Sequence, residues 1–91
     1  MTDTYNNVWD AISDSPEEAE NMKLRSVVMM AIEKYAKEQS ETQTVIAKQL
    51  GLTQPRLNDL LKGKIDKFSL DKLVNIATKA GLSIDLSIKA A

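Results

Sequence analysis

The sequence predicts a small, mainly α-helical domain that ends in a single β-strand. Apolar residues recur at three- and four-residue intervals from about residue 16 to residue 80, which is the spacing of amphipathic helices. Glycines stand where these helical patterns stop, at Gly51, Gly63 and Gly81. After the last glycine, residues 82–88 alternate strictly between apolar and polar side chains, which is typical of a half-buried strand. A chain of 91 residues is long enough for one domain with a small core.

Composition narrows the classes of function. The chain has no cysteine and no histidine, which excludes zinc sites built from these residues, a cysteine nucleophile and a histidine base. We therefore expect neither an enzyme nor a cofactor or metal site. No apolar run approaches the roughly 18–20 residues of a membrane span, and the polar, acidic residues after Met1 do not form a signal peptide. The sequence thus predicts a cytoplasmic protein with no membrane partner.

The net charge of −1 is unevenly distributed along the chain. Residues 1–41 carry four basic and nine acidic groups, residues 42–67 carry five and two, and residues 68–91 carry three and two. The net charges of these segments are therefore −5, +3 and +1. Positive charge is concentrated in the central segment, as nucleic-acid binding requires, although an excess of this size also arises by chance.

Residues 1–14 form a predicted N-terminal segment outside the helical domain. Tyr5, Val8, Trp9 and Ile12 fall at the spacing of one helical face. In one interpretation, Trp9 and Ile12 fold back on the first helix and fill the core. In the other, the segment is mobile when free and becomes ordered on a partner protein, with Trp9 as the anchor.

The first helix is predicted from residue 16 to about residue 39. Ser15 is a suitable N-cap, and Pro16 suits the first helical position. The apolar stripe of this helix is wider than one face. The extra width indicates either a second contact surface for a partner or a cover formed by the N-terminal segment. The stripe consists of Leu24, Val28, Ile32, Tyr35 and Ala36, widened by Met22, Val27, Met30 and Ala31.

The central stretch, residues 42–63, reads TQTVIAKQLGLTQPRLNDLLKG and predicts two short helices joined by a tight turn. Ile46 and Leu50 give the first of them an inward face, and Leu57 and Leu60 do the same for the second. Two short helices arranged in this way form a helix-turn-helix. In such a unit the second helix enters the major groove of DNA.

A further helix is predicted after a basic loop at residues 64–67. Ser69 can cap this helix, and Gly81 ends it. The helical domain therefore spans residues 15–81.

The last segment, residues 82–91, is predicted to be a dimerisation strand. A lone strand leaves its backbone N–H and C=O groups unpaired. We therefore expect it to pair with its copy in a second subunit, as an antiparallel ribbon at a twofold axis. A partner strand within residues 2–9 is the alternative. The apolar side chains of the strand are Leu82, Ile84, Leu86 and Ile88.

Several positions of the central stretch resemble the Cro/CI-like (XRE) helix-turn-helix family. They are Gln43 at the start of the first helix, Ala47, Gly51 and the Thr53-Gln54 pair. The resemblance implies a five-helix, lambda-repressor-like domain that binds a palindromic operator in double-stranded DNA as a homodimer. It implies Gln54, Pro55, Arg56 and Asp59 as base-reading residues, and candidate phosphate contacts are Thr42, Gln43, Thr53, Asn58, Lys62, Lys64 and Lys67.

The side chains implied to read bases have suitable chemistry. Gln54 can bond adenine at N6 and N7, and Arg56 can bond guanine at O6 and N7. The ring of Pro55 can touch a thymine methyl group. Asp59 can accept a hydrogen bond from a cytosine amino group, or it can pair with Arg56 or Lys62.

The candidate phosphate contacts carry register without sequence information. Gln43 lies at a helix N-terminus, where backbone N–H groups favour a phosphate, and the resemblance suggests that its side chain also braces Gln54. Thr53 has a capping role in any case. Lys64 and Lys67 have the alternative interpretation of solvated loop charges.

The wider arrangement resembles one branch of the family, the HigA-type antitoxins. The resemblance is carried by VWDAISDSPEEAENMKLRS, by TQPRLNDLLKGKIDKFSLDKL and by the terminal strand. It implies a repressor that regulates its own operon and neutralises a RelE/HigB-like ribonuclease toxin. The toxin-contacting residues are hypothesised to be Trp9, Ile12, Met22 and Met30. A free-standing phage-type or bacterial regulator is the main alternative, and an enzyme or a pure protein adaptor is a third class.

Overall fold

The structure is a computed structural model that describes residues 15–90. The first and longest helix, α1, runs from Pro16 to Glu38. Ser15 caps it, since its Oγ accepts a hydrogen bond from the backbone N–H of Glu18 at 3.1 Å. Twenty-three residues give α1 a length of about 35 Å at 1.5 Å per residue. It is long enough to contact all of the shorter helices.

The helix-turn-helix consists of α2 (Gln43–Leu50) and α3 (Gln54–Leu61). Threonine hydroxyls cap both helices, as the sequence predicts for Thr53. Gly51 ends α2 with a φ of 71°, a left-handed conformation that L side chains rarely adopt. The backbone N–H of Leu52 then donates to the carbonyl of Ala47 at 2.8 Å, which closes the turn. Backbone hydrogen bonds and caps therefore fix the angle between the two helices.

The chain continues through a single 3₁₀ turn (Ile65–Lys67) into α4 (Leu70–Lys79). Residues 15–90 thus contain four α-helices, and the expectation of five is not met within them. The segment between Gly63 and Ser69 is too short for another α-helix and forms only the 3₁₀ turn. The predicted helical spacing within residues 5–12 lies outside the described residues.

The core is aliphatic, with Phe68 as its largest side chain. Helix α1 packs mainly against α4 and also contacts α3 and the 3₁₀ turn, while α2 packs against α3 and α4. The buried face of α1 differs from the predicted apolar stripe, because Met22 and Met29 are each 3% exposed whereas Leu24 and Val28 are only half-buried. The largest fully buried side chains are Ile32, Leu50, Leu57, Leu60, Phe68, Leu73 and Ile76.

The segment after α4 has no regular secondary structure in the single chain. Its first residue, Leu82, is anchored, because its N–H donates to the Ala77 carbonyl at 2.9 Å and its side chain packs on the core. The predicted strand is therefore not present among residues 82–90. A strand is defined by hydrogen bonds to a second strand, and no segment of residues 15–90 supplies one. Nor does any helix in residues 15–90 combine the length and the apolar character of a membrane span.

Candidate nucleic-acid interface

Helix α3 presents one polar, exposed face. Gln54, Asn58 and Lys62 follow one another at four-residue intervals, and all three are exposed, as is Pro55. Residues at this spacing lie above one another on a helix. The opposite face holds Leu57 and Leu60, each with no exposed surface. Burial of these two leucines therefore orients the helix and directs the polar face towards solvent.

A hydrogen bond joins the two helices at the start of this face. The side-chain amide of Gln54 donates to the hydroxyl of Thr44 in α2. The family resemblance suggested Gln43 as the residue that braces Gln54, and the structure places the neighbouring Thr44 in hydrogen-bond contact with Gln54. Gln43 itself is exposed at the N-terminus of α2. A side chain at the first position of α3 is thus held in place before any ligand binds.

Arg56 lies differently from Gln54 and Pro55, which are exposed. Its guanidinium carbon is 4.3 Å from the centroid of the Phe68 ring, in cation–π geometry. Its Nη2 also donates to the backbone carbonyl of Lys67 at 3.0 Å. The side chain is therefore directed towards the loop that follows α3 and away from the exposed face formed by Gln54 and Asn58.

Asp59 forms an ion pair at the other end of α3. Its Oδ1 lies 3.6 Å from Nζ of Lys64, and the backbone N–H of Lys64 donates to the Asp59 carbonyl at 3.0 Å. The sequence suggested Arg56 or Lys62 as the partner of Asp59. The Lys64 side chain remains 45% exposed, so the pair is weak and a phosphate can compete for the lysine.

The remaining candidate phosphate contacts divide into two groups. Thr42 and Thr53 use their hydroxyls as N-caps, accepting from the N–H groups of Val45 and Arg56 at 3.3 Å each. Lys62 and Lys67 are exposed lysines beyond the last turn of α3. The threonines thus already act as caps at the two helix N-termini, and the two lysines supply exposed positive charge after α3.

Arg25 in α1 is a functional candidate that the sequence analysis did not identify. Its Nη1 donates to the carbonyls of Ile65 at 3.3 Å and Phe68 at 3.1 Å. It lies four residues before Met29 and seven before Ile32, on the core face of α1. A charged residue at a core-facing position is costly to bury unless it is hydrogen-bonded. Its position on that face was the signal that could have identified it.

The residues hypothesised to contact a toxin differ in their exposure. Met22 is 3% exposed and belongs to the core, whereas Met30 is 63% exposed. Val27, on the same side of α1, is 62% exposed. Trp9 and Ile12 lie outside the described residues. The exposed apolar surface of α1 is therefore centred on Val27 and Met30.

Comparison with a family model agrees with this geometry. A family model described as a helix-turn-helix domain matches residues 11–89, which is most of the chain. No curated protein matches the chain.

Proposed function

The chain belongs to the helix-turn-helix domain family, and from this premise we propose that it is a sequence-specific DNA-binding transcriptional regulator, not an enzyme. The observation that carries the proposal is the exposed polar face of α3, oriented by two fully buried leucines and braced by α2. A rigid helix with such a face fits the major groove, which is wide enough to admit an α-helix.

Binding starts with the N-terminal turn of α3 in the groove. Gln54 bonds an adenine at N6 and N7, and Pro55 contacts a thymine methyl group. Asn58 lies one turn further along the same face. The helix N-termini at Thr42 and Thr53 favour phosphate oxygens.

Exposed lysines neutralise the flanking phosphates. Lys62 and Lys67 lie at the C-terminal side of α3, and Lys64 becomes available when a phosphate displaces Asp59. Each such contact releases a counterion, so affinity falls as salt rises.

The test is a binding titration on the DNA upstream of the protein's own gene. Lys62→Ala is expected to weaken binding to all sequences and to reduce the salt slope by about 1. Lys23→Ala removes the same charge from an exposed site on α1 and serves as the control. Equal effects of the two variants, or binding that does not depend on salt, would count against the proposed interface.

We further propose that the protein acts as a homodimer joined through its C-terminal segment. Ile84, Leu86 and Ile88 are 40%, 69% and 89% exposed, and they alternate with polar residues. Pairing with the same segment of a second copy satisfies the backbone groups and covers these side chains. The two α3 helices then read half-sites about 34 Å apart.

We propose, finally, that the regulator is the antitoxin of a toxin–antitoxin pair and represses its own operon. The resemblance to HigA-type antitoxins favours this role, and the exposed Val27 and Met30 give α1 an apolar surface for a RelE/HigB-like toxin. A free-standing regulator has the same DNA-binding surface, so the gene neighbour distinguishes the two.

Co-expression with the neighbouring gene product tests the antitoxin role. A pull-down should retain that product with the wild-type chain and lose most of it with Val27→Glu combined with Met30→Glu. Gln54→Ala, on the DNA-binding face, is the control and should retain it. Failure of the wild-type chain to retain the product would favour the free-standing regulator.

A further inference from the structure

We propose that Arg56 is a positioning residue, which clamps the loop of residues 64–68, made up of the basic loop and Phe68, against α3 and does not read a base. The inference rests on the proposed DNA-binding function and assigns a different role to the arginine of the recognition helix. It follows from three features of the structure, which are the position of Arg56 on the helix, the contacts of its guanidinium group, and a second arginine that binds the same loop from α1.

The position of Arg56 on α3 is unsuited to base contact. Arg56 lies four residues before Leu60, which has no exposed surface, so the two share a side of the helix. The Arg56 side chain is thus directed towards the core. It does not belong to the exposed face that carries Gln54 and Pro55. Arg56 is accordingly only partly exposed.

The contacts of the guanidinium group hold it on the loop. It stacks 4.3 Å from the centroid of Phe68, whose side chain is 2% exposed, and it donates to the Lys67 carbonyl at 3.0 Å. An Arg56 that reached for guanine would lose both contacts. It would also leave a carbonyl acceptor without its charged donor.

A second arginine binds the same loop from α1. Arg25 donates to the carbonyls of Ile65 and Phe68, so arginines from two different helices bond three carbonyls within four residues. The Lys64 N–H bonds the Asp59 carbonyl, which fixes the start of the loop to α3. The loop is therefore held at its beginning and along its length.

This arrangement places two lysines for the DNA backbone. Lys64 and Lys67 project from a loop whose backbone is already ordered, so less conformational entropy is lost when they meet phosphates. Without the clamp, the loop must be ordered during binding. The resulting loss of affinity is the same for every DNA sequence, because phosphates carry no sequence information.

The experiment measures affinity for the operator and for a set of single-base variants, at several salt concentrations. Arg56→Ala should lower affinity by roughly tenfold for every sequence and should leave the ratio between operator and variants unchanged. Arg56→Lys should resemble it, because lysine keeps the charge but lacks the planar group that stacks and bonds the carbonyl. Phe68 is too buried to touch DNA, so Phe68→Leu should cause a smaller loss of affinity that is again the same for every sequence.

Gln54→Ala is the matched control on the exposed face, and it should change the ratio at one base position. The inference is overturned if Arg56→Ala changes the ratio between operator and variants at one base position, whatever Phe68→Leu does. Circular dichroism checks that each variant folds. If Phe68→Leu does not fold, Arg56→Lys replaces it as the second variant that tests the uniform loss of affinity.

Amide hydrogen exchange without DNA separates the clamp from the proposed function. Arg56→Ala should speed exchange at the Lys67 and Phe68 amides, which donate to the Lys64 and Ile65 carbonyls, and should leave α2 unchanged. If the wild-type protein bound no DNA fragment, the proposed function would fall, whereas unchanged exchange in the variant would overturn the clamp.

Discussion

The helix-turn-helix and the C-terminal segment differ in how much of their structure one chain can supply. In the helix-turn-helix, residues 42–63, every leucine of α3 is at least half-buried. Both helices are capped, and backbone hydrogen bonds close the turn between them. In residues 83–90, the apolar side chains are exposed, and Ile88 reaches 89%. One region is complete within the chain, and the other has the pattern of a strand without a neighbouring strand.

The difference shows which parts of the proposed function belong to the monomer. Base reading needs only a rigid α3, which the monomer core provides. The spacing of two recognition helices needs a second copy, which we propose the C-terminal segment recruits. Substitutions should therefore affect stability in the first region and assembly in the second.

The largest expected effect is on the core below α3. Leu57→Ala removes a side chain with no exposed surface and should lower the free energy of unfolding by about 2–5 kcal/mol. Urea denaturation followed by circular dichroism measures it. Leu86→Ala, at a residue 69% exposed, is the control and should change monomer stability by less than about 0.5 kcal/mol. Similar losses in both variants would remove the distinction between the regions.

The next effect concerns assembly. Leu86→Asp combined with Ile88→Asp places like charges where two strands are proposed to pair, so sedimentation should show monomers. Operator affinity should fall about thirtyfold, or about 2 kcal/mol, because only one recognition helix then binds at a time. Far-ultraviolet circular dichroism should be unchanged. A double variant that remains dimeric would place the dimer interface elsewhere.

A smaller effect is expected at the turn. Gly51 has a φ of 71°, and Gly51→Ala should cost about 1–2 kcal/mol in the free energy of unfolding, the penalty for an L residue in that region. The nearest atoms to an added Cβ belong to the flexible Lys79 side chain, so the backbone dominates the cost. Gly51→Asn should cost less, because asparagine tolerates this conformation better. An alanine variant as stable as the wild type would show that the turn relaxes without loss.

The smallest effect concerns the cap of α3. Thr53→Ala removes the hydroxyl that accepts from the Arg56 N–H at 3.3 Å, and it should cost about 1 kcal/mol. Thr53→Ser keeps the acceptor and should remain close to the wild type in thermal denaturation. If serine and alanine destabilise the protein equally, the methyl group and not the cap is what threonine contributes.

Much of the helical domain is readable from local sequence. Ser15, Thr53 and Ser69 were each predicted as N-caps, and all three accept the expected backbone hydrogen bond. Gly51 and Gly63 were predicted as helix ends, and both have positive φ. Caps and left-handed residues act within a few positions of the chain, so a single sequence is sufficient to identify them.

Features that depend on distant parts of the chain were not readable in this way. The stacking of Arg56 on Phe68 and the bonds from Arg25 to the loop join residues that are 12 and about 40 positions apart. The buried side of α1 depends on three neighbouring elements at once, which are α3, the 3₁₀ turn and α4. This is why Met29 was missed and Met22 was assigned to a partner. The strand predicted for residues 82–91 needs a second strand to pair with, and residues 15–90 contain none.

The most direct test of the account is hydroxyl-radical footprinting of the protein on the DNA upstream of its own gene. A dimer that inserts two α3 helices should protect two half-sites about 10 base pairs apart, centre to centre, on one face of the duplex. Gln54→Ala should abolish the protection at the concentration where the wild type shows it. A single protected site, or uniform protection without half-sites, would contradict recognition in duplicate through α3.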